Sequence, residues 1–91
     1  MPINVSNAEA LGRTIAAARM MAGMDQASLA SAANVSAGTI SNVERGRDVK
    51  PQTVKAVRTA LSRHGVLIGF SANNGLAGVT FSFATDEGDD D

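Results

Sequence analysis

Asp25–Gly46 reads DQASLASAANVSAGTISNVERG, and its pattern is that of two short helices joined by a tight turn. At the first start, Asp25 supplies a short acidic side chain that can accept a hydrogen bond from a free first-turn N–H. Leu29, Ala30 and Ala33 then recur at helical spacing and make one narrow apolar stripe. Asn34-Val35-Ser36 breaks the pattern. Asn tolerates the left-handed backbone of a sharp exit, and Ser36 can cap the next helix. That helix turns Ile40 and Val43 to the core, puts Thr39, Ser41 and Asn42 on other faces, and stops at Gly46.

Two helices that cross steeply over so short a link must approach closely. Ala30, Ala33 and Gly38 are the small residues expected to permit it. Polar side chains opening the second helix stand where a major-groove reader keeps its contacts. Spacing alone leaves two readings open, a plain helical corner in a small bundle and a DNA-binding corner.

Gln26, Leu29-Ala30, Val35-Ser36, Ile40-Ser41 and Glu44-Arg45-Gly46 resemble the phage-repressor-like (Cro-type) helix-turn-helix family, as do Leu11-Gly12 and Arg19 upstream. The resemblance spans about residues 9 to 64. It implies a mainly α fold: a four-helix repressor-like DNA-binding domain over 1–64, followed by a C-terminal β-hairpin over 65–84. Residues 85–91 are expected to form a disordered acidic tail. The end of the chain more loosely resembles short bacterial and phage regulators with a Gly-Val-rich strand segment.

Composition is consistent with that outline. Ninety-one residues suit one small domain, and without cysteine neither disulfides nor a thiolate metal site can reinforce its core. No apolar run approaches a membrane span and no secretory leader is evident, so a cytoplasmic location is expected. The net charge of −1 conceals a division. Asp86, Glu87, Asp89, Asp90 and Asp91 hold five of the nine acids, so residues 1–85 carry eight bases against four acids, a net of +4. Arg45, Arg47, Lys50, Lys55, Arg58 and Arg63 cluster within 45–63, the footprint of a phosphate-facing edge or of a solvated helix face.

Ser6-Asn7-Ala8-Glu9 has the form of a capping box, and Leu11, Ile15, Ala18 and Ala22 carry a helix to about Ala22, ended by Gly23. Met20, Met21 and Met24 read as adaptable core filler. A further helix opens at Pro51, runs through Val54, Val57 and Leu61 to Arg63-His64, and stops at Gly65. His64, the only histidine, reads as a surface residue. From Val66 the period changes to two: Val66, Ile68 and Phe70 share one face, Asn73-Asn74-Gly75 is a turn, and Val79, Phe81 and Phe83 alternate with polar neighbours. An isolated hairpin is marginal in water, so this one must pack on the helices. Six of its apolar residues, Val66, Ile68, Phe70, Val79, Phe81 and Phe83, are expected to build a homodimer interface; the alternative is a hairpin folded on its own domain without dimerising.

The resemblance also implies roles. Arg19 would pair with Glu44 and clamp the first helix to the third. The DNA-contacting set would be Gln26, Ser36, Ala37, Gly38, Thr39, Ser41, Asn42, Arg45, Arg47, Lys50 and Gln52. Within it, Gln26, Thr39, Arg47, Lys50 and Gln52 go to phosphates, and Asn42 is the best base reader because its amide matches adenine. Ala37 and Gly38 depart from the long polar side chains common there, so direct readout from that turn is thin and DNA shape carries more. A dimer on a palindromic operator, repressing its own promoter, follows by resemblance. The alternatives are an antitoxin whose hairpin or tail also grips a toxin, and a protein-interaction module that has lost DNA binding. No nucleophile–base set, phosphate loop or metal-ligand spacing is present, so no catalysis, cofactor or metal is expected.

Overall fold

The computed structural model describes residues 7–47, 50–73 and 76–83, with side chains for 8–47, 50–69, 81 and 82. In order, the elements are α1 (Asn7–Met21), α2 (Gln26–Ala33), α3 (Ala37–Glu44), α4 (Pro51–Arg63), β1 (Val66–Asn73) and β2 (Leu76–Phe83). The chain is mainly α, four helices followed by an antiparallel hairpin, as its sequence predicts. Ser6 of the capping box, Asp48-Val49, Asn74-Gly75 and the acidic tail lie outside the described residues.

Three of the helices end by the same device. After α1, Gly23 has φ +74, and the Met24 N–H reaches back to the Arg19 carbonyl at 3.1 Å. Asn34 repeats this after α2 at φ 60, with the Val35 N–H on the Ala30 carbonyl. Gly46 does so after α3 at φ +75, and the Arg47 N–H bonds to the Asn42 carbonyl at 2.8 Å. A left-handed residue at the exit lets the chain satisfy carbonyls the helix leaves open and turn sharply. Such turns end α2 and α3 after eight residues each.

Ile15, Leu29, Ile40, Val43, Val57, Leu61 and Val66 are fully buried and come from every element but β2. Burying each stabilises the fold by roughly 1.5–3 kcal/mol before conformational entropy is counted. Ala30 and Ala33 sit in the same core and allow α2 and α3 to meet. Gly38 does not contribute to that approach, contrary to expectation: a Cβ there would touch only Ser36 Oγ at 3.7 Å. Close packing is instead permitted by Gly12, where α1 crosses the end of α3, and by Gly46, where a Cβ would lie 2.9 Å from the Glu9 backbone nitrogen.

The methionines also divide. Met24 packs against the core, whereas Met20 and Met21 are 67% and 47% exposed. The reading of all three as core filler is therefore corrected. α1 has only one buried stripe, through Ile15 and Ala18, and Met20 and Met21 fall off it.

In the hairpin Val66 pairs with Phe83, Ile68 with Phe81 and Phe70 with Val79 in antiparallel register. β1 packs on α1 and α4. Val66 and Ile68 are buried there and Phe81 is half-buried against the same core. Val66 and Ile68 are thus covered by their own chain's helices, which leaves little of either surface to meet a second subunit. Phe70, Val79 and Phe83 lie outside the described side chains.

Candidate nucleic-acid interface

α3 begins with a side-chain cap. Ser36 is extended (φ −82, ψ 157), its Oγ accepts the Thr39 N–H at 3.0 Å, and the two hydroxyls lie 2.9 Å apart. Both hydroxyls are thus engaged in building the helix start. Ile40 and Val43 anchor the inner side. Ala37, Gly38, Asn42 and Arg45 are exposed on the outer side, and Ser41 is half-exposed. The expected readers therefore share an open surface on a helix fixed from behind.

Glu44 does much of the fixing. Its carboxylate accepts from Arg19 Nε at 2.7 Å and Nη2 at 3.2 Å, a two-pronged pair with side chains only 12% and 8% exposed. Arg19 Nη1 also donates to the Met24 carbonyl at 3.0 Å. The bonds to Glu44 hold the guanidinium protonated even more firmly than usual. Gln26 Nε2 joins the cluster, donating to Glu44 Oε1 at 3.0 Å. One carboxylate thereby links α1, α2 and α3.

That bond alters the picture for Gln26, which is half-buried and already gives an N–H within the protein. The start of α2 is also less inviting to phosphate than its dipole suggests. Asp25 accepts the Ser28 N–H at 2.7 Å, and this bond holds its carboxyl below the usual carboxylate range. A phosphate arriving there meets an anion already in place.

Past α3 the surface turns basic. Arg45, Arg47, Lys50 and Gln52 are all exposed, the last two at the start of α4. Further along α4, Lys55, Arg58 and Arg63 are exposed too, with Arg58 Nη2 on the Ile68 carbonyl at 3.0 Å. Sequence reasoning missed the Gln26–Glu44 bond and the Gly12 contact. Gly12 did leave a signal, a glycine inside an otherwise regular helix.

Comparison with protein families matches residues 10–68 to the description "Helix-turn-helix domain". The chain belongs to the helix-turn-helix domain family. Membership makes it, by class, a DNA-binding protein of transcriptional regulation. Among solved structures it is similar to the clp gene regulator ClgR from C. glutamicum, at 33% identity and a TM-score of 0.61, over 68% of this chain and 81% of that one. No curated protein sequence matches it. Among the described residues, no helix is long and apolar enough to cross a membrane.

Proposed function

We propose that this helix-turn-helix protein is a sequence-specific, homodimeric repressor that binds an inverted repeat in a promoter, its own included. The observation that carries the reading is the outer face of α3, where Asn42 stands exposed on a helix pinned by Ser36 and Glu44. A side-chain amide can donate to and accept from adenine together, and a rigid mounting keeps that geometry. Arg45, Arg47, Lys50 and Gln52 supply the phosphate contacts that set register. Dimerisation places two α3 helices about one DNA turn apart, roughly 34 Å, which matches an inverted repeat. Cover of a promoter by such a dimer blocks polymerase.

The hairpin supports pairing through β2, since β1 is the strand laid against α1 and α4. Phe81 belongs to its own subunit's core, so a charge there unfolds as well as separates. Sedimentation of the intact chain is the cleaner test of the dimer. For the regulator reading, the test is a mobility-shift titration on the protein's own upstream DNA at two salt concentrations. Saturable binding to one fragment, falling steeply with salt, supports it. Binding that ignores sequence, or none, refutes it.

A further inference from the structure

α4 carries Lys55, Arg58 and Arg63 and no acidic residue. Arg58 is directed toward the hairpin by its bond to Ile68. Lys55 and Arg63 instead line a shallow groove of about 350 Å³ between α4 and the end of α2, with Asn34, Gln52 and Thr59 as its other polar lining. Among the described residues no carboxylate lines it. Of the described acids, Glu44 is held by Arg19 and Gln26, Asp25 caps α2, and Glu9 is on α1.

The remaining acids are concentrated elsewhere. Asp86, Glu87, Asp89, Asp90 and Asp91 all fall in the eight residues 84–91 that follow β2. Phe83 is paired with Val66, which follows the C-cap of α4 by two residues. β2 therefore ends, at Phe83, beside the Arg63 end of α4. Eight extended residues reach roughly 26 Å, against roughly 12 Å of helix between Arg63 and Lys55.

We propose that the acidic segment 84–91 docks in this groove of its own chain, its carboxylates on Lys55 and Arg63. There it competes with DNA phosphates for the adjoining edge of Arg45, Arg47, Lys50 and Gln52, the last of which also lines the groove. Docking stands on charge, groove and tether alone; the competition rests on the DNA-binding reading. A tether this short holds the carboxylates at an effective concentration on the order of millimolar, enough for weak surface pairs to be populated.

The test compares the intact chain with a variant carrying Asp86→Asn, Glu87→Gln, Asp89→Asn, Asp90→Asn and Asp91→Asn. In amide-resolved NMR spectra without DNA, the two should differ at Asn34, Gln52, Lys55, Thr59 and Arg63. That difference should fade between about 50 mM and about 500 mM salt. Differences confined to residues flanking position 84 would overturn the docking. So would groove signals that ignore the neutralisation and move only when DNA is added. In DNA titrations at low salt the neutralised variant should bind about threefold tighter or more, the gap closing as salt rises. Most of that gain should vanish in a Lys55→Gln/Arg63→Gln background. An equal gain in both backgrounds would mean general charge repulsion and would overturn the competition. If no form binds DNA, the regulator reading fails while the spectra still decide the docking.

Discussion

Gly12 and Glu44 meet backbone to backbone: a Cβ built on Gly12 would lie 2.5 Å from the carbonyl oxygens of both Val43 and Glu44. α1 can cross the end of α3 only because a hydrogen stands where a side chain would. Together with the bond of Arg19, about two helical turns further along α1, to Glu44, this contact sets the angle at which α3 faces outward.

Gly12→Ala should therefore destabilise the protein by about 1–3 kcal/mol, as overpacking does. Gly38→Ala should behave oppositely. Its Cβ would make only an ordinary contact with Ser36 Oγ at 3.7 Å, so stability should rise by up to about 1 kcal/mol on helix propensity. Denaturant titration of both variants checks the pair, and equal effects would mean the crossing is not set at Gly12.

Removing the carboxylate that joins three helices should be more severe than removing its neutral donor, Gln26. Glu44→Ala leaves the Arg19 guanidinium largely buried and without its partner, at about 3 kcal/mol. Gln26→Ala removes a single neutral-to-charged bond and should cost about 1.5 kcal/mol. The same denaturation experiment ranks them, and the reverse order would contradict the cluster's design.

Acid should weaken the start of α2. Asp25 has a depressed carboxyl pKa in the folded protein, so it contributes stability above its unfolded value and loses it as pH falls through the lower folded value. Asp25→Ala should lower the melting temperature at neutral pH. The difference from the parent should shrink below a pH of about 4. A gap that persists in acid would show that the charge on Asp25 is not what caps the helix.

Much of this architecture was legible beforehand because the decisive signals are local. Asp25 and Ser36 as caps, Asn34 and Gly46 as exits, and the switch to period two at Val66 each depend on neighbouring residues. What escaped depends on which surfaces meet. Gly38 and Gly12 look alike in sequence, and only the crossing of α1 over α3 distinguishes them. Met20 and Met21 are apolar but lie off the stripe that the core accepts. An alternating strand reveals that one face is buried without saying what buries it. For Val66 and Ile68 the answer is their own helices. Gln26 has the chemistry to hold a phosphate, and the carboxylate of Glu44 reaches its amide first.

The basic edge should act without regard to sequence. Arg47→Ala and Lys50→Ala should each weaken binding to all DNAs alike and reduce the slope of log affinity against log salt by about 1. Titrations at several salt concentrations measure it. A loss limited to one sequence would move these residues from phosphates to bases.

The exposed face of α3 as a reader of bases is tested most directly by selecting bound sites from randomised DNA with the parent protein and with Asn42→Ala. The parent should recover an inverted repeat, and the variant the same repeat with preference flattened at one base pair in each half. An identical preference from both proteins would contradict the account.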